Sequence, residues 1–229
     1  MKKQLAKLAL TAALGLAITF TLNACEEEEA VNIKDSRDGK VYKIVKIGEQ
    51  VWMAENLNYE ANGSKCYYND PAYCEKYGRL YNWQAAMEAC PAGWKLPDTT
   101  DWVKLIAAAG GTETGAKKLK SNSGWNEYCG REDDIPCRTQ CGDEPCRDGN
   151  GMDDFGFSAL PGGGNYTRGN DSDINMRDDG DEGVWWAATT VEDYKHTANY
   201  VGMYNDGDVV TNGGSHYKSD SYSVRCIKD

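Results

Sequence analysis

Histidine is almost absent. His196 and His216 are the two imidazoles in 229 residues, and neither lies in a metal-binding or nucleophile-activating motif, so histidine-based catalysis is not expected. Phenylalanine is nearly as scarce, three against 14 tyrosines and seven tryptophans, so most aromatic rings carry a polar handle and suit wet interfaces as well as a core. Basic residues are in deficit, 25 Lys and Arg against 36 Asp and Glu, with a formal charge of −11. That balance repels phosphate backbones and anionic head groups and argues against a nucleic-acid partner. No internal repeat of fixed period is visible. The one long apolar run, residues 8–22, is interrupted by Gly15 and several threonines and is followed by Cys25 and the acidic run Glu26 to Glu29, so it is too short for a membrane span of ~20 residues.

That run is instead suited to export. Lys2, Lys3 and Lys7 form a positive leader ahead of it. The junction Leu22-Asn23-Ala24-Cys25 resembles the bacterial lipobox, in which the cysteine is diacylated on sulfur and becomes the new N-terminus on cleavage. The resulting expectation is a signal peptide over 1–24, an acidic lipid-anchored tether over 25–36, and a single domain over 37–229. At about 190 residues it has a usual size for one domain. The lipid on Cys25 makes the membrane contact, at ~0.8 kcal/mol per buried methylene. Glu26 rather than aspartate after Cys25 resembles the outer-membrane sorting pattern, which puts the domain in the cell envelope outside the cytoplasm.

Eight cysteines remain beyond Cys25, an even number in a chain addressed to an oxidising space, so disulfides are expected. Cys66 and Cys74 flank a turn-rich stretch that can be closed locally, and Cys90 and Cys226 would join an early helix to the last strand. Cys129, Cys137, Cys141 and Cys146 lie in a polar segment, 129–151, with almost no apolar residues to bury. Two disulfides within that segment are expected; a four-cysteine zinc site is the rival, against which the spacings, none of them C-x₂-C, and the compartment both count.

Residues 41–47 and 51–53 read as a hairpin around residues 48–50. Leu80, Trp83, Ala86, Met87 and Cys90 recur at helical steps, and Pro91-Ala92-Gly93 ends that run. A second helix begins after Pro97, capped by Asp98 or Thr99, with Trp102, Leu105, Ile106 and Ala109 facing inward and Gly110-Gly111 ending it. Short strands are expected over 184–190, 198–204, 208–211 and 222–227. The fold class is α+β, with two helices in the first half and irregular antiparallel β structure and long loops in the second.

Several phrases in order, among them Val51-Trp52-Met53-Ala54-Glu55-Asn56-Leu57, Gly78-Arg79-Leu80-Tyr81-Asn82-Trp83, Gly93-Trp94-Lys95-Leu96-Pro97, Asp154-Phe155-Gly156-Phe157 and Ser223-Val224-Arg225-Cys226, together resemble the Fibrobacter succinogenes major paralogous domain. The Leu96-Pro97 and Trp102 segment and the terminal Arg225-Cys226 are also similar to the C-type-lectin-like and formylglycine-generating-enzyme superfamily. The resemblance implies a lectin-like fold, in which a long-range disulfide ties the first helix to the final strand. Against it, 129–151 looks like an insertion. The oxidation chemistry of the formylglycine-generating enzymes needs a reactive cysteine pair, and no cysteine motif of that kind matches here.

Two stretches are candidates for ligand sites, each weighed against a plainer reading, a solvated acidic loop for the first and core or loop packing of the rings for the second. Asp171, Asp173, Asn175 and Glu182 place oxygens at positions one, three, five and twelve of a calcium-like loop, but Met176 stands where the turn wants glycine, Arg177 adds a positive charge and Asp178 replaces the apolar packing residue, so a solvated acidic loop is the favoured reading and calcium the alternative. Trp185, Trp186, Tyr166, Tyr200 and Tyr204 are the candidate sugar-stacking rings, with Trp185 and Trp186 expected on opposite faces of a strand, one in and one out. Trp52, Trp83, Trp94 and Trp102 are assigned to the core. No cofactor is required on this reading, and calcium is possible. The functional expectation is a non-catalytic surface binding or adhesion module whose ligand is a polysaccharide or another envelope component such as a protein. The alternatives are a structural envelope protein working through protein contacts, and an enzyme related to the formylglycine-generating superfamily.

Overall fold

The computed structural model describes residues 32–129, 146–166, 175–177, 179–191 and 194–229. Two sheets carry the described part of the chain. The first has the order β1 (Asn32–Lys34), β2 (Val41–Ile47), β3 (Gln50–Met53), β13 (Ile227–Lys228) and β6 (Trp94–Lys95). The second runs β11 (Thr211–Tyr217), β10 (Thr197–Tyr204), β9 (Glu182–Thr190), β12 (Ser221–Ser223), β5 (Leu80–Asn82) and β4 (Ser64–Lys65), with β7 (Gly164–Tyr166) joined to β12 and to β8 (Asn175–Arg177). The helices are short: α1 (Pro71–Tyr77), α2 (Trp83–Ala89), α3 (Thr99–Ala108) and α4 (Gly115–Leu119). The α+β class holds.

The hairpin forms as expected, closing at Ile47↔Gln50. In α3 the Asp98 carboxylate accepts from the Asp101 amide at 2.8 Å while the Asp101 carboxylate accepts from the Asp98 amide at 3.2 Å, which satisfies two of the orphan donors of the first turn. Gly110 and Gly111 end it at positive φ, with the Gly111 amide returned to the Ile106 carbonyl at 2.8 Å. The helix expected from Leu80 starts only at Trp83. Leu80–Asn82 is taken up as a strand between β12 and β4, and the Asn82 side chain then caps α2 by accepting from the Ala85 amide at 2.9 Å. The strand expected over 208–211 begins at Thr211 and continues to Tyr217. α1, unforeseen, starts on an Asp70 cap with Pro71 at its first position.

The folded part also begins earlier than the expected tether boundary at residue 36. Asn32–Lys34 pairs with β2. Asp35 is fully buried and ion-paired with Arg37 at 2.6 Å, and Arg37 also donates to the Ala89 carbonyl at 2.7 Å and lies 3.7 Å over the Tyr59 ring. A segment that offers an edge strand and a satisfied buried carboxylate is part of the fold rather than a solvated leash.

β9 divides the interior. Trp185 and Ala187 point into one apolar cluster with Trp52, Trp102, Phe157 and Met203, while Val184 and Trp186 point into another with Leu57, Tyr81 and Tyr222. Alternation places neighbouring side chains on opposite faces, and here both faces are covered. Trp52 and Trp102 are buried in the first cluster, and Trp83 and Trp94 are half-buried against the second.

The crossing between the two sheets is held by a buried polar network. Asn56 Oδ1 accepts from Arg225 Nε at 3.0 Å, Arg225 Nη2 at 2.8 Å and Trp185 Nε1 at 2.8 Å, and Asn56 Nδ2 donates to the Tyr77 carbonyl at 2.8 Å. Arg225 further donates to the carbonyls of Phe157 at 2.6 Å and Ser158 at 3.2 Å. Burial pushes the guanidinium pKa down to about 9, which leaves it charged at neutral pH. The Cys90–Cys226 disulfide ties the end of α2 to the residue next to it, and Cys66–Cys74 closes a short loop onto α1.

Candidate functional site

On the second sheet, aromatic residues from β7, β10, β11 and β12 form one strip. His216 stands 4.8 Å from the Tyr200 ring, 5.3 Å from Tyr166 and 5.5 Å from Tyr222, and Tyr222 lies 4.5 Å from Trp186 beneath. Tyr166, Tyr200 and Tyr204 are half-buried and Tyr222 is buried. Glycines make room for the rings. A Cβ at Gly214, the residue opposite Tyr200, would run into the Tyr200 ring; one at Gly164 would meet Tyr222 at 2.6 Å, and one at Gly202 would meet the Tyr204 hydroxyl at 3.0 Å. Register shifts flank Tyr200 on both sides, against β11 and against β9, with Gly213 at φ +94 beside it. Such bulges re-aim a side chain that a regular ladder would fix.

Two buried carboxylates back the strip. Glu182 accepts a hydrogen bond from the Tyr166 hydroxyl. Asp220 lies 3.4 Å from His216 Nδ1 and accepts from the Tyr222 hydroxyl at 3.4 Å. Burial, helped by these carboxylates and the neighbouring tyrosines, pushes the Tyr222 hydroxyl well above the ordinary phenol range, and burial does the same for Tyr204. Both stay protonated as donors at neutral pH. The strip therefore offers ring faces for apolar C–H surfaces, phenol and imidazole groups for hydroxyls, and carboxylates that orient those groups.

The structure brings together Tyr166, Tyr200, Tyr204 and Glu182 from the residues expected by sequence. It removes Trp185 and Trp186 from the list of exposed rings, because both are fully buried and their indole nitrogens are spent on Asn56 Oδ1 and the Tyr81 carbonyl. Glu182 opens β9, and Asn175 pairs with Tyr166 across β7 and β8. Asp171 and Asp173 lie outside the described residues, as do Cys25, Cys137 and Cys141. Cys129 and Cys146 are both disulfide-bonded. Among the described residues no group of three or more His, Cys, Asp or Glu is placed to hold a metal ion, and no helix is long and apolar enough to cross a membrane. His216, Asp220 and Tyr222 were missed; the signal was the Gly213-Gly214 pair just ahead of an alternating Ser215-His216-Tyr217.

A family model, the Fibrobacter succinogenes major domain, matches residues 45–228. The chain belongs to this family. The segments whose phrases resemble the Fibrobacter succinogenes major domain are those that build the buried crossing: Met53 and Leu57 donate their amides to the carbonyls of Cys226 and Val224 at 2.9 and 2.8 Å, with Asn56 and Arg225 locked between them. The strip, by contrast, is built largely on residues outside those phrases. No curated protein and no solved structure matches the chain.

Proposed function

We propose that this member of the Fibrobacter succinogenes major domain family is a non-catalytic binding module of lectin-like fold, anchored at the cell envelope through a lipid on Cys25, that recognises neutral polysaccharide along the Tyr166–His216–Tyr200 strip. The observation that supports it most is the convergence of those half-exposed rings on one side of the second sheet, with glycines opposite or beside Tyr200 and Tyr222 and buried carboxylates behind Tyr166 and His216. Sugar rings present an apolar C–H face and a rim of hydroxyls, and a tyrosine offers both a flat apolar body and a polar edge. The net charge of −11 disfavours polyanions as the partner. Cys90–Cys226, joining the end of a helix to the final strands, is what a lectin-like fold calls for.

On this reading the rings carry the binding, so it should not depend on a metal. Affinity electrophoresis in gels containing soluble neutral polysaccharides, with calcium and with chelator, tests the reading. Retardation indifferent to chelator supports it. Retardation abolished by chelator would return the calcium loop to consideration, and no retardation in any gel would move the assignment to protein contacts in the envelope.

A further inference from the structure

Three asparagines head an Asn-x-Ser/Thr triplet, the pattern of an N-linked glycan acceptor in an exported chain: Asn62-Gly63-Ser64, Asn165-Tyr166-Thr167 and Asn170-Asp171-Ser172. The fold separates the first two. Asn165 is 1% exposed on β7, which is paired with both β12 and β8, and a glycan has no room there. Asn62 is exposed. Asn170 lies outside the described residues.

Asn62 stands in a β-turn. The Ser64 amide donates to the Ala61 carbonyl at 3.0 Å and Gly63 takes φ +88, so Asn62 and Gly63 are its two central residues. The Ser64 hydroxyl donates to the Ala61 carbonyl at 2.8 Å and accepts from the Ala61 amide at 3.1 Å. Bonds confined to one exposed turn open at far less cost than the domain unfolds, so the triplet is accessible to an enzyme in the folded protein. β4, which follows the turn, is the last strand of the second sheet, and a glycan beside it would shield that edge from pairing with another chain.

A second feature singles out the same asparagine. Glu60, two residues ahead of it, keeps its side chain 78% exposed while pairing with Arg79 at 2.9 Å. Pairs so exposed are weak, and the carboxylate is left as a charged handle for a transferring enzyme. The corresponding residues ahead of Asn165 and Asn170 are Gly163 and Arg168.

We propose that Asn62 is the acceptor of an N-linked oligosaccharide, transferred outside the cytoplasm by an oligosaccharyltransferase from a polyprenyl diphosphate carrier. Asn62 Nδ2 forms a bond to the anomeric carbon of the first sugar, and the bond from that carbon to the diphosphate oxygen breaks. The polyprenyl diphosphate leaves with the electron pair and the amide nitrogen gives up one proton. The assignment rests on the export proposed above.

The test isolates the full-length gene product in detergent from the envelope of the cells that make it, with the variants N62Q, S64A, S64T and E60Q made in the same cells. Tryptic peptides are weighed and fragmented, and melting temperatures are measured. The parent peptide of residues 47–65 should carry an oligosaccharide on Asn62. N62Q and S64A should lose it, S64T should keep it, E60Q should lower the modified fraction, and all four should melt as the parent does. A parent that has lost residues 1–24 but carries an unmodified 47–65 peptide overturns the acceptor and leaves export standing. A glycan that persists in N62Q also overturns the acceptor. A parent that retains residues 1–24 overturns the export reading and the acceptor with it.

Discussion

Arg225 and Asn56, 169 residues apart, are joined by two hydrogen bonds onto one oxygen, with Nε at 3.0 Å and Nη2 at 2.8 Å from Asn56 Oδ1. A fully buried guanidinium would ordinarily be expected to find a carboxylate. This one is hydrogen-bonded by an amide and by backbone carbonyls, with Glu55 and Asp153 acting on its charge only at longer range, so each of those dipoles matters.

Removing that acceptor should be severe. N56A leaves the guanidinium and the Trp185 indole without their shared oxygen, and the expected loss is about 3–5 kcal/mol in the unfolding free energy extrapolated from urea titrations. R225K, which keeps the charge but not the planar fork, should lose about 2 kcal/mol or more. A loss below ~1 kcal/mol in N56A would show that the network is not what holds the sheets together.

Acid should act through the N-terminal segment. The Arg37 guanidinium, hydrogen-bonded to Asp35, holds that carboxyl below its usual value of 3.8. The folded state therefore binds fewer protons than the unfolded chain below that value, and the stability Asp35 contributes is complete above it and lost as pH falls through the lower folded pKa. D35N should cost about 1–3 kcal/mol at pH 7 and flatten the acid limb of the stability profile. An unchanged acid limb in D35N would contradict the pairing.

Alkali should act through tyrosines. Burial pushes Tyr42 up to about 12 and also raises Tyr81 and Tyr222 well above the ordinary phenol range. These phenols ionise near 10 once unfolded, so the folded state holds more protons above that pH and stability falls as pH climbs from 10 through 12. Lys120 works in the other direction. Its ammonium donates to the carbonyls of Tyr204 at 2.8 Å and Gly207 at 3.0 Å, and burial lowers its pKa to about 8, so its contribution rises between pH 8 and 10.5. Chemical unfolding of the parent and of K120M across pH 7–12 should separate the two, with the rise missing only in K120M.

Glycine opposite tyrosine is a feature of the strip that a methyl group can probe. G214A puts a Cβ against the Tyr200 ring and must displace it. The cost in stability should be about 1–3 kcal/mol, and polysaccharide binding should be lost even where the protein remains folded. Binding that survives G214A would place the ligand away from Tyr200.

Much of the framework was legible because its signals are local. The Asp98 cap, the Trp102–Leu105–Ile106 face and the Gly110-Gly111 stop are spaced within one helix, and Cys66 and Cys74 flank one turn. What misled was information the chain carries only in three dimensions. Alternation says that Trp185 and Trp186 face opposite ways, but not that both faces of β9 are covered. Asp35 reads as one more acid in an acidic stretch until Arg37 and β2 close over it. His216 and Asp220 belong to no motif, and only the pairing of β10 with β11 brings the histidine to Tyr200.

The most direct test of the strip is depletion of the full-length chain from solution by insoluble neutral polysaccharide, comparing the parent with the double variant Y200A/H216A. The account predicts that the parent is depleted with and without chelator and that the variant, still folded by circular dichroism, stays in solution. Equal depletion of both proteins, or of neither, would contradict it.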